Sequence, residues 1–234
     1  MLFKGHPISE PDRDLMEEHT MSNPDPKAWS ETQLVRIAQS SFRITTGDGT
    51  IIAIDPSAKS PLWTKADLVL VTHAHGDHFN AAVVRSLLKE GTRVAVPASV
   101  RAAGTDRGLA TDTLVPGEVK TFAGWEVAAV RAYNLTKPIH PRSRDWLGYV
   151  VVIDGLRVYH AGDTDLISEM ADVKADVALL PAGGMVTMNP ETAARAAALV
   201  GAQVAVPMHY GRLPFTGGAG RKFARLWAGA TVLA

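Results

Sequence analysis

The sequence predicts an α/β fold of two similar halves, each passing from strand hairpins into strand–helix–strand units. Three observations point to it. Residues 68–71 (LVLV) and 177–180 (VALL) are apolar runs of strand length without polar alternation, the pattern of strands buried on both faces. Gly47-Asp48-Gly49 and Asp154-Gly155 are hairpin turns between runs rich in β-branched residues. Asn80 and Asn189-Pro190 stand where helix N-caps belong, each a short way after one of the two apolar strands.

Taken in order, residues 1–30 bear Pro7, Pro11, Pro24 and Pro26 among many charges. They read as an irregular arm lying on the domain or on a partner subunit, which leaves a homo-oligomer open. The domain proper is expected over residues 31–234. Strands are expected at 34–37, 42–44 and 51–54, the last two closed by the Gly47–Gly49 turn. The buried strand at 68–71 leads into a His-rich loop and an Asn80-capped helix over 81–88, which Gly91 ends. A strand begins at 94, and further strands are expected at 119–122, 125–132, 147–153 and 156–160, the last pair joined by Asp154-Gly155. The buried strand at 177–180 precedes a helix from Pro190 to Val200 closed by Gly201, and 203–207 forms the final strand.

Composition limits what such a chain can be. Its 234 residues suffice for one sizeable core. The 24 Lys and Arg balance 24 Asp and Glu, which argues against a general nucleic-acid or anionic-membrane binder. There is no cysteine, so disulfides, thiolate nucleophiles and Cys-ligated zinc are excluded, and a metal site must be made of His, Asp and Glu. No apolar run is long enough to span a membrane, and the N-terminus lacks the apolar core of a signal peptide, so a cytoplasmic location is expected.

The strongest chemical signal is His73-Ala74-His75-Gly76-Asp77-His78, directly after the first buried strand. His73 and His75 are two residues apart, so in extended backbone they project to one side and can grip one metal ion together. Gly76 lets the chain turn, and Asp77 and His78 can then face a second ion beside the first. Imidazoles with carboxylates suit zinc, and also manganese or iron. A merely polar, His-rich loop is the bland alternative, and three histidines with an aspartate after a buried strand make it the weaker one.

The segment resembles the HxHxDH signature of the metallo-β-lactamase superfamily, and further pieces of that pattern follow in order. Asp55 in Ile54-Asp55-Pro56 resembles the superfamily's early Asp, which braces the metal loop. His140 resembles the third histidine of the first metal site, Asp163 in Gly162-Asp163-Thr164 the carboxylate bridging both metals, and His209 in Met208-His209-Tyr210 the last ligand of the second site. The stretch from Tyr133 to Asp165 is most similar to the metal-dependent hydrolase branch related to ascorbate-6-phosphate lactonase and the phospholipase D of N-acyl ethanolamine lipids. The resemblance implies a four-layer αββα sandwich and two divalent ions held by His73, His75, Asp77, His78, His140, Asp163 and His209. One departure stands out. Members of that branch often carry Gly-His at the first strand turn, where this chain reads Ala38-Gln39.

A two-metal site lowers the pKa of a bound water, so that hydroxide is available at neutral pH, and it polarises the attacked oxygen. Asp77 is the expected catalytic group, orienting the hydroxide and managing its proton. Hydrolysis of an ester, lactone or phosphodiester of a small metabolite follows as the expectation, without a nucleophilic Ser or Cys and without an organic cofactor. Asn134, Lys137, Arg142, Arg144, Trp146 and Tyr210 neighbour the ligand segments and could line a cleft. Arg142 and Arg144 could hold a phosphate or carboxylate there, or simply be solvated loop charges. His6 and His19 fall in the arm, and His160 either supports the site or packs in its strand. The alternatives are a nucleic-acid phosphodiesterase of the same fold, for which no basic surplus is visible, and a metal-binding protein without turnover. An oxygen-reducing diiron relative is disfavoured by His75, where such proteins usually carry Glu.

Overall fold

Asp154 ties the two halves of the chain together: its carboxylate accepts from Trp29 Nε1 at 2.9 Å and from the Gly47 backbone N–H at 3.0 Å. Trp29 belongs to a helix, α1 (Pro26–Gln33), which Asp25 caps by accepting from the backbone N–H groups of Lys27 and Ala28. The computed structural model describes residues 24–211 and 216–233. His6, His19 and most of the expected N-terminal arm lie outside these described residues. Where the arm was expected to remain irregular, over 26–30, the chain is helical instead, because Pro26 suits a first helical turn and Trp29 is buried in the core.

Among the described residues, twelve strands form two six-stranded sheets. The first holds β1 (Leu34–Arg36), β2 (Phe42–Thr45), β3 (Ile51–Ile54), β4 (Leu68–Leu70), β5 (Arg93–Pro97) and β6 (Asp112–Leu114), side by side in chain order. The second holds β7 (Val119–Phe122), β8 (Trp125–Arg131), β9 (Leu147–Ile153), β10 (Leu156–His160), β11 (Val177–Pro181) and β12 (Val204–Met208), again in chain order. Each sheet starts antiparallel and ends parallel: β3 to β6 pair in parallel, as do β10 to β12. Tight turns make the antiparallel part. Asp154 and Gly155 both have positive φ, 51° and 82°, the geometry that a two-residue hairpin needs.

Apolar side chains separate the layers into three clusters. One lies between the sheets, with Phe42, Ile44, Leu68, Leu70, Tyr149, Val151, Leu179 and Val206 all essentially inaccessible. A second packs the outer face of β10–β12 against α4 (Pro190–Leu199) and α5 (Ala219–Leu226), through Ala193, Ala196, Ala197 and Phe223. A third packs the outer face of β3–β5 against α2 (Ala81–Leu87) and α3 (Ala98–Ala102), through Val84, Leu87 and Val100. The result is the expected four-layer αββα sandwich. Burying each Leu, Ile or Phe contributes about 1.5–3 kcal/mol.

Helix caps follow the sequence. Asn80 accepts from the N–H groups of Ala82 and Val83, and Asn189 forms a reciprocal capping box with Thr192. α2 stops at Leu87, earlier than expected, and Gly91 serves the turn into β5 instead. The parallel strands β3, β4, β10 and β12 end at one edge of the sandwich, and their C-terminal extensions are Asp55, the His73 loop, Asp163 and His209. At this edge hydrogen bonds join the two sheets. Leu147 N–H donates to Thr72 O at 3.1 Å, Tyr149 Oη–H to Val71 O at 2.7 Å, and His209 N–H to Gln39 O at 2.8 Å.

Candidate metal centre

Asp163 is the hub of the site. It leaves β10 through Gly162, whose φ is +63° and which lies so near the Leu147 carbonyl that an added Cβ would stand 2.8 Å from it. The Asp163 carboxylate is buried and meets four histidines: His78 Nε2 at 3.2 Å, His140 Nε2 at 3.2 Å, His209 Nε2 at 2.9 Å and His73 Nε2 at 3.9 Å. His75 Nδ1 is 3.1 Å from His73 Nε2, and Asp77 Oδ2 is 3.5 Å from His209 Nε2. All seven side chains expected at the site therefore converge. Three subsets could each hold an ion: His73, His75 and His140; Asp77, His78 and His209; and His73, His78 and Asp163.

Surrounding groups fix which nitrogen of each ring faces inward. Asp55, in left-handed backbone at φ 51°, accepts from Thr72 N–H and Thr72 Oγ1–H and from His78 Nδ1–H, each at 2.7 Å. With its proton given to Asp55, the Thr72 hydroxyl accepts from His73 Nδ1–H at 3.0 Å. His140 Nδ1 faces two acceptors, Asn134 Oδ1 at 2.9 Å and Val186 O at 3.2 Å, so it carries the proton. In His73, His78 and His140 alike, Nδ1 is occupied and Nε2 is left for the centre, the arrangement that orients a metal-binding imidazole. His78 Nε2, His140 Nε2 and Asp163 Oδ1 are buried and lack hydrogen-bond partners. Buried polar atoms without partners are unfavourable, and a cation among them would satisfy all three. The donor set fits a divalent metal.

Electrostatics agree. Burial alone would raise the Asp163 carboxyl, but His78 and His209 hold it well below the usual range. Burial would likewise lower His78 and His209, yet the Asp163 charge lifts His78 well above its ordinary value, with help from Asp55, and lifts His209 to about 9. Burial and the neighbouring imidazoles push His73 and His75 down. Asp77, raised by burial but lowered more by its hydrogen bond to His209 and the charge of His78, sits at about 2. In the metal-free centre the Asp163 and Asp77 carboxylates are thus met by protonated His78 and His209, positive charge that a bound cation would replace.

A cleft of about 470 Å³ opens over these groups, lined by Gln39, His75, Gly76, Asp77, Ile139, His140, Asp163, Val186 and His209. None of the six residues that neighbour the ligand segments, and that could have lined it, does so. Asn134 stands behind His140. Trp146 packs on His73 and His75, with ring centroids 4.8 Å away in both cases. Arg142 is turned to Glu169 at 3.1 Å and over the Tyr133 ring, and Lys137 pairs with Asp165. Tyr210 stacks with Arg36, and Arg144 is exposed. Gln39 does line the cleft, though the sequence assigned it no role there. His160, left open between two roles, shapes the ligand turn: its Nε2–H donates to Ser40 O at 3.0 Å, and its Nδ1 accepts from Gly162 N–H at 3.2 Å.

Comparison with known proteins agrees with this geometry. A family model described as a β-lactamase superfamily domain matches residues 33–209. A UPF0173 metal-dependent hydrolase of Nitratidesulfovibrio vulgaris is 35% identical over 203 residues, covering 79% of this chain and 82% of the relative. Among solved structures, a metal-dependent hydrolase candidate from Parabacteroides distasonis superposes with a TM-score of 0.73 at 32% identity, over 86% of this chain and 91% of its own. A metallo hydrolase from the archaeon Ignicoccus hospitalis superposes with a TM-score of 0.69 at 30% identity, over 86% and 94%. A match over most of the chain, together with relatives at this identity, shows that the protein belongs to the metallo-β-lactamase superfamily and, within it, to the metal-dependent hydrolases.

Proposed function

We propose that the protein is a binuclear hydrolase that cleaves an ester, lactone or phosphodiester bond of a small metabolite in the cytoplasm. His73, His75 and His140 would hold one divalent ion, Asp77, His78 and His209 the other, and Asp163 would stand between them. Zinc suits the donor set best, with manganese and iron next. The observation that carries this reading is the convergence of seven ligand-type side chains on one point, with His78 Nε2, His140 Nε2 and Asp163 Oδ1 buried there and unpartnered.

When bound, the ions supply Lewis acidity and make water nucleophilic near neutral pH. The protein's own groups supply position and proton handling. Asp55, Thr72 and Asn134 hold three imidazoles so that their Nε2 atoms point inward. Asp77 is only half-buried and lines the cleft, so its carboxylate can accept a hydrogen bond from the attacking water and take its proton. The Trp146 ring covers the far side of His73, His75 and His140 and keeps bulk water from their backs. No helix among the described residues is long and apolar enough to cross a membrane.

Elemental analysis of the purified protein, joined to a panel of lactones, aryl esters and aryl phosphodiesters, tests the proposal. About two metal ions per chain and metal-dependent turnover on at least one bond class are expected. In Asp163→Ala, both should be lost. A fully loaded Asp163→Ala protein would refute the ligand assignment.

A further inference from the structure

Three side chains of the cleft have no part in holding metal: Gln39, Ile139 and Val186. Gln39 is anchored through its main chain. Its carbonyl accepts from His209 N–H at 2.8 Å and from an Arg36 guanidinium N–H at 3.1 Å, and the next carbonyl, Ser40 O, accepts from His160. The side chain is therefore held beside His209 by bonds that do not involve its amide, and its Oε1 is buried without a hydrogen-bond partner. Buried amide atoms are nearly always paired, so this one is placed to pair with something that enters the cleft.

The other two of these side chains, Ile139 and Val186, give the cleft an apolar wall. Ile139 is 45% exposed, and Leu135 and Met185, on the same two loops, are 61% and 66% exposed. Those loops are fastened together at Val186, whose carbonyl accepts from Asn134 Nδ2–H at 3.0 Å and from His140 Nδ1–H. The apolar rim is thus fixed to the metal ligand His140 itself. Among the described residues no Lys or Arg lines the cleft. The nearby guanidinium of Arg36 is spent on the carbonyls of Ala38, Gln39 and Tyr210 and on the Tyr210 ring. Arg142 is held by Glu169.

We propose that Gln39 is the substrate-orienting residue of this cleft, and that the substrate is an uncharged carboxyl derivative, an ester or lactone bearing a hydroxyl or N–H donor beside its scissile carbonyl, with an alkyl flank seated on Ile139 and Val186. A hydroxyl or N–H beside the scissile carbonyl donates to Gln39 Oε1, while the alkyl part leaves water against the apolar wall. This narrows the bond classes above and rests on the metal-site reading. An imidazole in place of Gln39 would change charge near neutrality, whereas an amide does not, so the polar contact made here is independent of pH.

The test uses metal-loaded protein and lactams, which present an uncharged cyclic carbonyl with an N–H donor beside it for Gln39 Oε1 but resist hydrolysis. Calorimetric titration with 2-pyrrolidinone, δ-valerolactam and ε-caprolactam is expected to show binding that tightens by at most about fourfold per added methylene. Gln39→Ala should weaken every lactam by about tenfold while metal content by elemental analysis stays unchanged. Ile139→Ser, a change at an exposed position, should abolish the gain along the series and leave 2-pyrrolidinone nearly unaffected. Wild-type protein that binds none of the lactams, a Gln39→Ala protein that binds them as wild type does, or an undiminished gain in Ile139→Ser would each overturn the inference. Failure to retain metal would instead strike the reading on which it rests.

Discussion

Asp55 Oδ2 accepts a 2.7 Å hydrogen bond from His78 Nδ1, and both side chains are wholly buried. The same oxygen accepts from Thr72 Oγ1–H, and the other carboxyl oxygen from Thr72 N–H, so Asp55 needs acceptors on both sides. In Asp55→Asn an NH2 group must face one of these donors. Where it faces His78, the ring is driven to the tautomer with its proton on Nε2, pointing at the metal centre. The expected outcome is a roughly 10- to 100-fold loss of metal affinity, although Asp55 is not among the proposed ligands. Titration with a metal-buffering chelator measures this. Unchanged affinity would show that His78 is oriented by something else.

Metal uptake should release protons. In the metal-free protein His78 lies well above its ordinary pKa and His209 at about 9, so both hold protons at pH 7.5, and binding must displace them. The sign for stability follows. Because these folded-state values are raised, protonation stabilises the metal-free fold fully below the unfolded value of about 6.5, and that stabilisation is lost as pH rises toward 9. The melting midpoint of metal-free protein should therefore fall between pH 6.5 and 9, while that of loaded protein holds or rises. Calorimetry of metal binding in buffers of different ionisation enthalpy checks the release directly. Buffer-independent heats at pH 7.5 would contradict it.

Much of this centre could be read from the sequence, and the part that could not has a physical reason. His73, His75, Asp77 and His78 are contiguous, so spacing alone placed them together. His140, Asp163 and His209 came from the resemblance to a known pattern. The two-residue turn at Asp154-Gly155 and the Asn189-Pro190 cap announce themselves because each uses residues chosen for local backbone geometry. α5 has no side-chain cap, since Gly218 precedes it, and half of it is Gly220, Arg221, Lys222 and Arg225, so it stayed hidden. Gln39, Asn134 and Trp146 act through contacts between segments distant in sequence or through a loop's particular path. Nothing in their neighbours says that Arg142 will turn to Glu169 while Gln39 faces the cleft.

Gly183 sets the position of His209. A Cβ at residue 183 would collide with the carbonyl oxygen of His209, which itself sits in left-handed backbone at φ 56°. Strained backbone of that kind is kept in place only by its surroundings. Gly183→Ala is expected to push His209 out of register with Asp77 and Asp163 and to cost about 1–3 kcal/mol of stability. Metal content should drop from about two ions per chain toward one, because His73, His75 and His140 lie on other loops. Elemental analysis with thermal denaturation reads both effects, and a variant that keeps both ions would show that the His209 turn can shift without losing its ligand.

Far from the metals, Asp176 joins the start of β10 to the segment leading into β11 and β12. Its carboxylate accepts from the Arg157 backbone N–H at 2.8 Å and from the Arg157 guanidinium at 3.1 Å on each oxygen. Its carbonyl accepts from the N–H groups of Gln203 and Val204. Asp176→Ala removes the side-chain acceptor and leaves the Arg157 N–H unpaired, at a cost of about 1–3 kcal/mol. The hydrogen bonds from Arg157 hold the Asp176 carboxyl below its ordinary value despite partial burial. A lowered carboxyl contributes stability that is present above the unfolded value, near 3.9, and is lost as pH falls through the lower folded value. The stability gap between wild type and Asp176→Ala should accordingly be full at pH 6 to 7 and shrink in acid below about pH 4. Urea denaturation of the metal-free proteins at pH 7 and pH 3.5 provides the measurement, metal being left out so that loss of ligands to acid does not contribute. A gap that is equal at both values would mean that packing of the Asp176 side chain, rather than its charge, ties the strands together.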